Sequence, residues 1–145
     1  MGVIFMSLTL NREIGGVKFE VDFKDKVCVT MGFCGTGKTY LLRTLKSCLD
    51  AQEISCLYIS PGNLSELGVS VSDLKDLIQR NHPRVVLFDN ASLYLTDTLF
   101  QAAFMVCDYI VVGTNYLNHT KLKDCGYYAI DFTSDVLRVM RESYA

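Results

Sequence analysis

Apolar positions follow three different rhythms along this chain. Val17-Lys18-Phe19-Glu20-Val21-Asp22-Phe23 alternates apolar and charged side chains, the period of a strand with one buried and one wet face. Residues 3–10 share strand composition, and the turn-rich stretch 11–16 between the two makes them an antiparallel hairpin, expected at the edge of a sheet. A second rhythm is no alternation at all. Val27-Cys28-Val29-Thr30-Met31, Ile54-Ser55-Cys56-Leu57-Tyr58-Ile59, Val85-Val86-Leu87-Phe88 and Tyr109-Ile110-Val111-Val112 read as short strands, largely buried on both faces. The third is helical. Leu41, Leu42, Leu45, Cys48 and Leu49 recur along one face, with Arg43, Lys46 and Ser47 on the other.

The remaining segments are weaker in pattern. Ser60-Pro61-Gly62-Asn63 ends the second buried strand, and residues 64–71 fit neither period. Ser72-Asp73-Leu74-Lys75-Asp76-Leu77-Ile78-Gln79-Arg80 has helix-start chemistry and an apolar stripe, stopped by His82-Pro83, with His82 read as a boundary residue. Residues 99–106 are the apolar stretch of another helix, started by Thr96 or Thr98. Tyr127-Tyr128-Ala129-Ile130-Asp131-Phe132 and Val136-Leu137-Arg138-Val139-Met140 form a terminal hairpin around Thr133-Ser134-Asp135, whose first strand is a candidate neighbour of the Val27 run.

Composition narrows the class. At 145 residues, half of them apolar and 21% charged, the chain is expected to be one domain, residues 1–145, with a deep core. A formal charge of −2 gives no support for a broad nucleic-acid footprint. No apolar run reaches the length of a membrane span, the first residues lack the charged region of a secretion signal, and Met6 stands where a myristoylation pattern requires Ser or Thr, so a cytoplasmic location is expected. Of the six cysteines, Cys28, Cys48, Cys56 and Cys107 fall within apolar patterns and none forms a C-x-x-C pair, which reads as reduced core thiols.

One stretch carries chemistry. Gly32-Phe33-Cys34-Gly35-Thr36-Gly37-Lys38-Thr39 matches G-x-x-x-x-G-K-[ST] at every fixed position, between a buried strand and an amphipathic helix. A triphosphate needs a concave row of backbone N–H groups, and glycines at 32, 35 and 37 permit the backbone angles such a cradle demands. Lys38 is expected to reach the β and γ phosphates; Thr39, with Tyr40 beside it, opens a helix whose positive end faces them. Cys34, inside the loop, is exposed to pKa lowering by those amides and Lys38. Val85-Val86-Leu87-Phe88-Asp89 supplies a carboxylate at the end of a dry strand, suited to holding Mg²⁺ with the Thr39 hydroxyl. Thr114 and Asn115 end the next strand and are candidates for the γ-phosphate or the attacking water. Phe5, Phe19 and Phe23 have a stacking reading against a nucleotide base and a stronger core reading.

Taken together these residues resemble the P-loop NTPase superfamily over about residues 27–132, and within it the additional-strand group that includes AAA+, ABC and recombinase-type ATPases. The resemblance implies a three-layer α-β-α fold with a mostly parallel sheet in the order 5-1-4-3-2, flanked by antiparallel N-terminal and C-terminal hairpin strands. It implies ATP and Mg²⁺ as cofactors. Departures matter as well: Asn90 stands where ABC and AAA+ enzymes place a glutamate, and an amide orients water but takes no proton. Glu66 is the nearest alternative carboxylate, and Arg80, Arg84, Arg138 and Arg141 are read as surface ion pairs before any role as an arginine finger.

Three functions remain open at this point. The first is a weak or partner-stimulated Mg²⁺-dependent ATPase, with Lys38, Asn90 and Asn115 as its catalytic set and a protein partner or self-association as stimulus. The second is a non-hydrolysing nucleotide switch read by a protein partner. The third is a small-molecule or nucleoside kinase, disfavoured because residues 113–126 hold lysines but no arginine for a lid. Adenine is preferred over guanine because Lys121-Leu122-Lys123-Asp124 does not form N-K-x-D.

Overall fold

A computed structural model describes residues 8–31, 37–114 and 125–142. Its strands are β1 (Leu8–Ile14), β2 (Val17–Phe23), β3 (Val27–Met31), β4 (Cys56–Ile59), β5 (Val85–Phe88), β6 (Tyr109–Thr114), β7 (Cys125–Thr133) and β8 (Val136–Glu142). The helices are α1 (Lys38–Ala51), α2 (Pro61–Leu67), α3 (Val71–Asn81) and α4 (Asp97–Val106), with a short 3-10 turn at Ala91–Leu93. All the strands join one sheet in the order β1-β2-β8-β7-β3-β6-β5-β4.

This corrects the expected architecture. In place of a three-layer α-β-α fold with a mostly parallel sheet flanked by separate hairpins, the chain forms a mixed eight-stranded half-barrel sheet with four helices among the described residues. The two hairpins are the reason. Each pairs antiparallel within itself, but β2 also pairs parallel with β8, Phe19 opposite Leu137, so the hairpins fuse into a broad extension of the sheet. The inward side chains of that extension, Leu8, Leu10, Phe19, Val21, Phe23, Leu137 and Val139, share one core with Leu41, Leu42 and Leu45 of α1. A strand face this apolar must be covered, and it curls over α1 to bury itself.

From β7 onward the strands β7, β3, β6, β5 and β4 run parallel to one another. Alternation distributes their side chains: Cys28, Val85, Leu87 and Val111 face α1, whereas Val27, Val29, Val86, Phe88, Ile110 and Val112 face the core that Leu74 and Ile78 of α3 and Leu99, Phe100 and Ala103 of α4 complete. Asp89, next after Phe88, therefore returns to the α1 side.

Element boundaries differ from the expected ones where turns and caps set them. The first hairpin turns at Gly15-Gly16, with φ of 57° and 83°, so Asn11–Ile14 extends the strand instead of forming the turn. Residues 64–71 fit no period because the helix start signal lies upstream: Ser60 caps α2 by accepting from the Asn63 N–H, with Pro61 in the first turn. The α3 helix starts at a capping box of Ser70 and Asp73, and α4 is capped by Thr96. His82 is an exposed left-handed C-cap, φ 45°. Among the described residues no helix is long and apolar enough to cross a membrane.

Candidate functional site

Among the described residues the start of α1 differs from those of α2, α3 and α4. Gly37 is its N-cap, at φ 97° and ψ 10°, no side chain caps it, and its first turn holds no acid but does hold Lys38, which is buried. A lysine at the positive end of a helix dipole opposes the usual charge preference, and the combination favours an anion in front of it. Glycine is required at 37 for two reasons. The φ lies in the left-handed region, and a Cβ there would stand 3.1 Å from Phe132 Cδ2 and 3.5 Å from Leu137 Cδ1. Thr39 and Tyr40 follow, both exposed, and the Tyr40 ring stacks on exposed Phe132 at 5.8 Å and 12° and tilts against Phe19. Gly32, Phe33, Cys34, Gly35, Thr36 and Asn115 lie outside the described residues. Phe19 and Phe23 are fully buried, so neither is a base-stacking surface. Thr114 is buried at the end of β6.

Asp89 leaves the C-terminal end of β5, 4% exposed, and its two carboxylate oxygens have different surroundings. Oδ2 accepts a hydrogen bond from the Tyr58 hydroxyl of β4 at 2.6 Å. Oδ1 lies above Gly113 of β6, where a Cβ would sit 3.6 Å from it and 3.2 Å from Leu42 Cδ1. Leu42 is one turn along α1 from Lys38 and Thr39, so the carboxylate and the first turns of α1 meet over the same glycine. The Asp89 backbone is held too. Its N–H donates to Ile59 O at 2.8 Å, and the buried Tyr94 hydroxyl lies 2.9 Å from Asp89 O and 2.8 Å from Ile59 O.

Charge around Asp89 is compensated in steps. Burial, then the bond to Asp89, pushes the Tyr58 hydroxyl pKa up. The Tyr58 hydroxyl beside Arg43, which is exposed on α1, holds the guanidinium's proton above the ordinary value, with Asp89 and Glu66 adding to it. Burial also raises the Tyr94 hydroxyl. Asn90 is exposed with φ 54° and ψ 44°, a left-handed turn position that asparagine tolerates better than most residues, which supplies a backbone reason for its identity. Glu66 is exposed on α2.

Among the described residues no group of three or more His, Cys, Asp or Glu side chains is positioned to hold a metal ion. The donors at this site nevertheless fit Mg²⁺: a hydroxyl at Thr39 and one carboxylate oxygen of Asp89 not taken by Tyr58, the small oxygen set that this ion takes alongside phosphate and water. Three of the four arginines considered as fingers form surface ion pairs, Arg84 with Asp108 at 2.9 Å, Arg138 with Glu20 at 2.7 Å and Arg141 with Asp25 at 3.0 Å. The buried thiols of Cys28 and Cys107 and the partly buried Cys56 are free, and burial pushes each up to about 12.

Tyr58, Arg43, Tyr94 and Gly113 were not singled out from the sequence. Two of them left a signal: a tyrosine inside an otherwise apolar strand needs a partner for its hydroxyl, and a lone glycine after Val111-Val112 marks a close approach. Compared with known protein-family models and with curated proteins, the chain matches none.

Proposed function

We propose that this chain is a Mg²⁺-dependent ATP-binding protein with a weak or partner-stimulated ATPase activity. The observation that carries the reading is that, above Gly113, the Asp89 carboxylate lies beside Leu42, one turn along α1 from its uncapped, lysine-bearing start. In this reading Lys38 and the amides of residues 32–37 neutralise the β and γ phosphates. Thr39 and Asp89 would hold Mg²⁺, which would supply charge neutralisation for the phosphates. Asn90 and Asn115 orient water. No carboxylate follows Asp89 to take the proton, so turnover is slow without help from a partner or a second copy.

A nucleotide switch that binds without hydrolysing is the second reading, favoured by the left-handed turn that accounts for Asn90 without catalysis. Phosphate release from Mg²⁺-ATP, followed over a protein concentration series with Lys38→Ala as control, separates the two. Release by the wild type above the Lys38→Ala background supports the ATPase, and a rise steeper than concentration identifies self-association as the stimulus. Binding without release supports the switch. Transfer only to an added acceptor would instead identify a kinase.

A further inference from the structure

We propose that Tyr58 is the positioning residue for the metal-holding carboxylate, fixing Asp89 so that Oδ1 alone faces α1. The inference rests on the reading of Asp89 as a Mg²⁺ partner and adds a residue that no phosphate-loop pattern contains. Asp89 sits between two strands that treat its oxygens differently. On the β4 side the Tyr58 hydroxyl is 2.6 Å from Oδ2. On the β6 side Gly113 has no side chain, and Oδ1 lies over it beside Leu42 of α1.

A carboxylate with no second fixed contact swings about its Cβ–Cγ bond and offers either oxygen, or both, to a cation. Tyr58 removes that freedom by occupying one oxygen in advance. The tyrosine is well suited to it. It is 9% exposed and packed in the same core as Leu41, Leu42 and Leu45, so the ring that carries the hydroxyl is held in place. The cost of ordering the carboxylate is met during folding and not at metal binding, which is how partners behind a ligand raise metal affinity.

Tyr58→Phe keeps the ring and deletes only the hydroxyl. The experiment compares wild type and Tyr58→Phe for Mn²⁺ affinity at saturating ATP, by electron paramagnetic resonance, and for ATP affinity in EDTA. The expected result is a loss of Mn²⁺ affinity of about 10–100-fold with metal-free ATP affinity unchanged. Mn²⁺ affinity within twofold of wild type would overturn the role of Tyr58 while leaving the nucleotide reading standing; a wild type that binds no Mn²⁺ with ATP would overturn both. A measurement on the wild type alone covers a variant that fails to fold. With tyrosines labelled at 13Cζ, the Tyr58 resonance is expected to shift when Mg²⁺ is added to the ATP-bound protein. An unmoved resonance contradicts the proposal.

Discussion

Gly126 of β7 is the position where the structure makes its sharpest claim about stability. A Cβ at this residue would overlap the Asp25 carboxylate and stand 3.0 Å from Tyr128 Cε1. The carboxylate cannot move aside freely. It accepts from the Tyr128 hydroxyl at 2.6 Å and from Arg141 at 3.0 and 3.2 Å, and the Tyr128 oxygen accepts the Lys24 N–H at 3.0 Å. Tyr128 is 1% exposed, so its charge-assisted bond is worth about 1.5–3 kcal/mol. Arg141 is 52% exposed, so solvent screening keeps its share small. Gly126→Ala is therefore expected to cost about 3 kcal/mol, read as a urea-denaturation difference, or roughly 10 °C in Tm for a chain of this size. A double-mutant cycle isolates the cause: with Asp25→Ala already made, the added methyl meets only Tyr128 Cε1 and should cost at least about 1 kcal/mol less than in the wild type. A penalty under 1 kcal/mol in the wild-type background, or equal penalties in both, would refute the steric argument.

Other consequences follow from the same geometry. Tyr94→Phe removes the donor between Ile59 O and Asp89 O and should lower stability by about 1–2 kcal/mol in chemical denaturation, with an unchanged value contradicting the bond. Gly113→Val tests the floor under Asp89: strand propensity alone favours valine, whereas crowding of Leu42 and Asp89 Oδ1 predicts a loss of about 1–3 kcal/mol, so the sign of the change in Tm decides. Hydrogen bonding from Arg141 holds the folded Asp25 carboxyl below its ordinary value of 3.8 despite desolvation. The unfolded chain thus binds the proton first, and this group's stabilisation is complete above pH 3.8 and lost as pH falls through the lower folded pKa. Asp25→Asn should flatten that acid limb of the stability curve; an identical slope below pH 3.8 would contradict the linkage.

What the sequence disclosed tracks how local the physics is. The buried parallel strands announced themselves as β-branched apolar runs, and Asp89 stood out because a carboxylate ending such a run needs a reason. The helical stripe of α1 was equally plain, since Leu41, Leu42, Leu45, Cys48 and Leu49 all bury as spaced. The sheet as a whole was not legible. Pairing of Phe19 with Leu137 joins residues more than a hundred positions apart, and neither strand carries a local mark of it, so two hairpins looked like separate edges when they form one curved extension. The site shows the same divide. Lys38 and Thr39 follow from a contiguous motif, whereas the contact of Tyr58 with Asp89 depends on two adjacent strands ending at the same level, which no spacing along the chain records.

The central claim is that the start of α1 and the Asp89 carboxylate together grip a magnesium nucleotide. Calorimetric titration of ATP in Mg²⁺ into wild type, Lys38→Ala and Asp89→Asn tests it most directly. The account predicts measurable binding by the wild type, a loss of about tenfold or more in Lys38→Ala, and loss of the Mg²⁺ dependence in Asp89→Asn. Equal heats for the wild type and both variants, or no heat from the wild type at millimolar ATP, would contradict it.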